Sequence, residues 1–163
     1  MGQFQSSDLV PRIGEILHQT GLAPSCLELE ITEREVMEDV EYAIDVLEHV
    51  KKLGIKVALD DFGTGYSSLS LLQDLPVHML KIDRSFVQGV AAEGGRAPFV
   101  RAIIELAQGL ELTVVAEGIE AIGHVAALRK LGCRVGQGFY FAKPLAPAAL
   151  EAFVREYRGR SAA

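Results

Sequence analysis

Cysteine, long apolar runs and clustered positive charge are all scarce in this sequence, and each shortage removes a class of protein. The two cysteines, Cys26 and Cys133, are too few for a disulfide framework, and neither has a Cys or His neighbour at metal-ligand spacing. A disulfide-stapled scaffold and a zinc site are excluded; both thiols are expected to be small buried or half-buried groups. No apolar run approaches the roughly 20 residues that cross a bilayer. The start, Met1-Gly2-Gln3-Phe4-Gln5, lacks the basic and apolar regions of a signal peptide. A soluble, cytoplasmic protein with no membrane segment in this chain is therefore expected. Formal net charge is -6, and no basic cluster of the kind that tracks phosphate backbones is present. Long nucleic acid is not an expected partner.

What is present is enough for one ordinary domain: 163 residues, 49% of them hydrophobic. The chain is organised around Val57-Ala58-Leu59-Asp60-Asp61-Phe62-Gly63-Thr64-Gly65-Tyr66-Ser67-Ser68-Leu69. An apolar strand-like run ends there in two adjacent carboxylates and breaks into a loop with two glycines and several hydroxyls. Adjacent residues of a strand point to opposite faces, so only a chain that turns at this point brings both aspartates to one site. Gly63 and Gly65 would permit the turn. A metal site at the carboxyl end of a parallel strand is one reading. A plain surface turn, where Asp and Gly are equally at home, is the other.

Along the chain, Leu9, Ile13, Ile16 and Leu17 sit at helical spacing within a helix expected from about Asp8 to Thr20, with Gly21 as its stop. Cys26 to Glu33 alternates as a strand that ends among carboxylates, and Val40 to Leu53 forms an amphipathic helix stopped by Gly54. The charged run Glu33 to Asp39 reads as a solvated helix entry. A short helix through Ser68 to Leu72 precedes a strand at His78 to Asp83. A helix marked by Phe99, Val100, Ile103, Ile104 and Ala107 leads to the strand Leu112 to Ala116. A helix bearing Ile122, Val125, Leu128 and Leu131 leads to a last strand from Val135 to Phe141. Pro147 opens a final helix to about Tyr157 within a domain spanning 1–158, and 159–163 reads as a disordered tail. Helices and strands thus alternate through short links, which predicts an α/β fold of about five parallel strands joined by right-handed crossovers. The strands deliver Glu30, Asp60, Asp61, Lys81, Glu117 and Gln137 at or near their ends. Such residues are tolerable there only if they converge on water, metal or each other.

Taken together, Leu27 to Glu33, Asp60 to Leu69, Leu80-Lys81-Ile82-Asp83, Val115-Ala116-Glu117-Gly118-Ile119-Glu120 and Gly136-Gln137-Gly138-Phe139 resemble, in order and spacing, the EAL-type cyclic-di-GMP phosphodiesterases. The resemblance implies a modified (β/α)8 TIM-like barrel, present here in part, that hydrolyses cyclic di-GMP to the linear dinucleotide pGpG with Mg²⁺ or Mn²⁺. It implies that Glu30 and Asp60 are ligands of a first metal, with Asp60 bridging to a second beside Asp61. Lys81 would contact the attacking water, and Glu117 would belong to the second metal's shell. Glu120 and Gln137 match further active-site positions. Glu33 would anchor the loop Phe62, Gly63, Thr64, Gly65 and Tyr66, implicated in substrate binding and dimerisation. The sequence departs from the family pattern in two respects: no Glu-Ala-Leu occurs near its start, and it contains no asparagine. The expected domain is thus a truncated one lacking three early strands and two metal ligands. Its hydrolysis would be weak, and its open edges would lead to a homo-oligomer or to a complement supplying the strands.

Independently of that resemblance, several carboxylates in one mouth cannot all ionise cheaply without a neutralising cation. Oxygen donors without Cys or His select Mg²⁺ or Mn²⁺ over zinc. Lys81 either adds positive charge for a phosphoryl oxygen or simply pairs with its neighbours, and Asp83 is a candidate structural partner two residues on. Phe139, Tyr140 and Phe141 read as core or rim aromatics rather than a base-stacking platform. A catalytically inactive module that senses cyclic di-GMP without turning it over, or that contacts a protein partner through the loop after Asp61, is the competing reading.

Overall fold

The computed structural model describes residues 4, 6, 8–64 and 69–161, the side chains of 69–70 and 158–161 excepted. Gly65 and Tyr66, expected in the loop after the paired aspartates, lie outside the described residues. Among the described residues five parallel strands form one sheet in chain order, as the alternation predicts. They are β1 (Glu28–Thr32), β2 (Lys56–Phe62), β3 (Met79–Ile82), β4 (Thr113–Ala116) and β5 (Val135–Gly136). Among the described residues eight α-helices accompany them: α1 (Leu9–Thr20), α2 (Glu33–Glu38), α3 (Val40–Lys52), α4 (Leu69–Asp74), α5 (Arg84–Gln88), α6 (Ala97–Gly109), α7 (Ile122–Lys130) and α8 (Pro147–Ser161).

Strand alternation divides the sheet into an apolar and a polar face. Ile31, Val57, Leu59, Leu80, Ile82, Val114 and Ala116 are buried in the core that includes Leu47 and Val50 of α3 and Val100, Ile103, Ile104 and Ala107 of α6. The intervening positions, Glu30, Asp60, Lys81 and, just past β4, Glu117, share the other face. The helices bury one face, so the polar set is left to line the mouth.

Local signals set the element ends. Thr32 closes a capping box on α2, accepting from the Glu35 amide while the Glu35 carboxylate accepts from the Thr32 amide. Asp39 caps α3 through the Tyr42 amide, and Asp83 caps α5 through the Ser85 amide. Asp83 is therefore a helix cap, and its bond is to α5 rather than to Lys81.

Three local expectations are corrected. The last strand stops at Gly136 instead of continuing to Phe141. Beyond it the chain turns around Ile119, with the Ile119 amide donating to the Gln137 carbonyl and the Tyr140 amide to the Ile119 carbonyl. Gly138 fits so closely that a Cβ there would stand 2.2 Å from the Ile119 carbonyl oxygen. Phe139 and Tyr140 consequently turn outward and are exposed rim residues. Cys26 is exposed, because it ends a short 3-10 turn (Pro24–Cys26) on the surface, whereas Cys133 is buried. Glu33 is not part of a solvated entry: it is 3% exposed, and its carboxylate accepts from the Gly63 amide at 3.1 Å. At the other end, α8 runs through Ser161.

Candidate functional site

The polar residues converge at the carboxyl ends of neighbouring strands. β2 pairs with β3 at Leu59↔Leu80 and again at Phe62↔Ile82, so Asp60 and Asp61 occupy a bulge in which β2 carries one residue more than its partner. Asp61 itself supplies the turn, with φ 56. A left-handed conformation is uncommon outside glycine but is best tolerated by Asp and Asn. The Asp61 amide donates to Asp60 Oδ1 at 2.9 Å, and the Thr64 hydroxyl donates to the Asp61 carbonyl at 2.8 Å. The turn therefore begins inside the strand, two residues before the first of the glycines, Gly63, and it brings both aspartates to one side. Carboxylate oxygens of Asp60, Asp61 and Glu117 all lie within 4.8 Å of one another.

Lys81 is the hub of the site. Its Nζ lies 2.6 Å from Glu30 Oε1, 2.7 Å from Glu117 Oε1 and 3.1 Å from Asp60 Oδ2, while its side chain is 4% exposed. Burial alone would lower its pKa, but hydrogen bonds to Glu117, Glu30 and Asp60 outweigh that and hold it above its ordinary value. Gln137 Nε2 donates to Glu117 Oε1 at 2.5 Å, orienting that carboxylate from the β5 side. Burial, followed by the charges of Asp60 and Glu30, raises the Glu117 pKa against the opposing effect of Lys81. Asp61 is also raised, by burial first and then by the charges of Asp60 and Asp83. Two carboxylates displaced upward beside a third mark a place where added positive charge would be favourable.

The donor set fits a hard divalent cation. Asp60, Asp61 and Glu117 offer oxygens only, and neither Cys nor His belongs to the group. Glu30, expected as a fourth ligand, is bonded to Lys81 and stands outside that three-residue group. Glu120 is placed farther along the rim, its Oε1 3.0 Å from the Arg84 guanidinium. Arg84 escaped the sequence reading. Its signal was a cation directly behind the Asp83 cap, at the same carboxyl edge as the acidic residues. Its stem lies over Gly118 so closely that a Cβ there would meet Arg84 Cγ at 2.4 Å, and Gly118 adopts φ +65. Arg84, Glu117, Glu120, Gln137 and Phe139 help to line an open cavity of about 520 Å³ beside the carboxylates. Phe62 is buried in the core below the turn, whereas Gly63 and Thr64 lie at its crest.

Comparison with known proteins extends over nearly the whole chain. Residues 2–144 match the family model described as the EAL domain. The chain is 45% identical over 152 residues to the cyclic di-GMP phosphodiesterase NbdA of Pseudomonas aeruginosa, covering 93% of this chain and 19% of that protein. The crystal structure of the EAL domain of Mycobacterium smegmatis DcpA superposes with a TM-score of 0.88 at 40% identity, over 94% of this chain and 69% of that one. A manganese and cyclic di-GMP complex of Klebsiella pneumoniae BlrP1 superposes with a TM-score of 0.80 at 34% identity, over 86% of this chain and 36% of that one. The chain thus spans about a fifth of the length of the curated relative and somewhat over two thirds of the DcpA domain.

Proposed function

The chain belongs to the EAL domain family, and on that premise we propose that its mouth binds cyclic di-GMP and hydrolyses one phosphodiester bond to give the linear dinucleotide. The observation that carries this reading is the meeting of Asp60, Asp61 and Glu117 within 4.8 Å, beside a lysine held charged by three carboxylates. Asp60, Asp61 and Glu117 would hold Mg²⁺ or Mn²⁺. When bound, such an ion supplies Lewis acidity to the phosphodiester and to the attacking water.

The chain's own groups do the rest. Lys81 presents a fixed positive charge where a phosphoryl oxygen gains charge in the transition state, and its burial strengthens that interaction. Glu117, oriented by Gln137, takes the proton lost by the water that attacks phosphorus, as the water oxygen bonds to phosphorus and the bond to the 3′-oxygen breaks. The departing 3′-oxygen takes a proton from solvent. Arg84 and Glu120, fixed against each other, offer a cation and an acceptor to the parts of the dinucleotide that extend along the rim.

A second reading is favoured by Glu30. Because it stands outside the three-carboxylate group, three carboxylates rather than the four suggested by the sequence would hold the ion. Cyclic di-GMP would then be bound with little turnover. Association belongs with either reading, since among the described residues β1 and β5 each have one neighbour in the sheet and unpaired edges recruit further strands. Sedimentation showing a monodisperse monomer would count against association.

The test is titration of the chain with cyclic di-GMP in Mn²⁺ and then EDTA, following linear dinucleotide by chromatography. Product that disappears with EDTA supports hydrolysis; binding without product supports the second reading. Neither binding nor product would refute both.

A further inference from the structure

The left-handed turn at Asp61 is held by more than the Glu33 carboxylate. A Cβ built on Gly63 would lie 3.2 Å from Phe86 Cε2 and 3.3 Å from Phe99 Cε1, so the two rings sit directly against this residue. They are stacked with centroids 4.7 Å apart and planes at 26°, and the Arg96 guanidinium lies 5.0 Å from the Phe86 centroid. Gly63 is therefore held at two points, its amide by Glu33 at 3.1 Å and its Cα by the aromatic pair.

We infer that Phe86 and Phe99 form an aromatic ledge that positions Asp61 for metal binding. An uncommon backbone conformation persists only where its surroundings over-determine it, and Asp61 at φ 56 is two residues from the ledge. The ledge also has a defined origin. Phe86 is in α5, which follows the strand that carries Lys81, and Phe99 is in α6, which packs on β3 and β4. Contact with Gly63 thus ties the turn after β2 to the elements that place Lys81 and Glu117. Phe86 and Phe99 are positioning residues: they set the Asp61 carboxylate relative to its two companions without touching substrate. The inference rests on reading Asp61 as a metal ligand.

Phe99→Ala is the informative variant, because Phe99 is 45% exposed while Val100, Ile103, Ile104 and Ala107 keep α6 in the core. Two quantities are read: amide hydrogen exchange at Gly63 in EDTA by NMR, and Mn²⁺ affinity from the free-ion EPR signal. The expected result is Gly63 exchange faster by about tenfold and Mn²⁺ affinity weaker by about tenfold, the lower end for outer-shell partners of a metal site. Phe99→Tyr, which keeps the ring, restores both. Wild-type exchange at Gly63 in Phe99→Ala overturns the inference, and so does unchanged Mn²⁺ affinity. If the unmodified chain binds no Mn²⁺, the metal reading of Asp61 fails with the inference built on it, while Gly63 exchange still shows whether the rings hold the turn.

Discussion

Replacing Lys81 by methionine removes the cation that three carboxylates share and keeps most of its aliphatic stem. Breaking a fully buried ion pair from one side typically destabilises by about 3–5 kcal/mol, because the partner is left buried and unpaired. Here the lysine is buried but its partners are less so, with side-chain exposures of 49% for Glu30, 19% for Asp60 and 16% for Glu117. Water can therefore solvate part of the charge that is released, which reduces the expected loss to about 1–3 kcal/mol. At roughly 2–4 °C per kcal/mol for a domain of this size, the thermal midpoint in EDTA should fall by about 2–12 °C. The same substitution makes the mouth more negative by one charge, so Mn²⁺ should raise the midpoint of Lys81→Met by more than it raises that of the unmodified protein. Scanning calorimetry in EDTA and in Mn²⁺ measures both quantities, and chromatography of the linear dinucleotide should show hydrolysis lost even in Mn²⁺. An unchanged midpoint in EDTA, or a smaller Mn²⁺ gain in the variant, would refute the account of Lys81 as the cation that holds the carboxylates together.

Asp60→Asn should weaken Mn²⁺ binding by more than about tenfold, since outer partners of a metal site alone are worth 10–100-fold; near-native affinity by EPR would show that the ion sits elsewhere. Gly138→Ala should destabilise by about 1–3 kcal/mol through overpacking, because its Cβ would stand 2.2–2.3 Å from Ile119 backbone atoms; a midpoint in urea equal to the parent would contradict that packing. The raised pKa of Glu117 means that the folded state holds its proton more tightly than the unfolded chain, so this group's contribution must decline as pH rises from its ordinary 4.5 through the higher folded value. Subtracting the stability of Glu117→Gln in EDTA should isolate that decline, and a difference that grows with pH across this window would reverse the assigned sign. Lys81 has the opposite end of the scale: its contribution is complete below its ordinary 10.5 and should disappear only at higher pH, as the ammonium finally deprotonates.

Periodicity alone determined the order of strands and helices. Apolar residues at helical spacing in α3 and α6, and strands ending in Glu30, Asp60, Lys81 and Glu117, left little freedom in choosing an α/β fold with a polar mouth. The spacing of those residues also carried the family resemblance. Tertiary structure decided what spacing cannot express. Strand alternation places Asp60 and Asp61 on opposite faces, and only the bulge against β3, with Asp61 left-handed, brings them together. Charge in the sequence made Glu33 look solvated, whereas the fold buries its side chain and sets its carboxylate on the Gly63 amide. The β-rich run after Val135 reads as a strand until Ile119 claims its backbone hydrogen bonds. Glu30 and Asp60 look alike as strand-end carboxylates; their different fates, one bonded to Lys81 alone and the other shared between Lys81 and the three-carboxylate group, follow from where each strand stands in the sheet. Local chemistry chooses the elements, because helix and strand periods are properties of neighbouring residues. The site depends on distances between residues remote in sequence, which only the packed sheet sets.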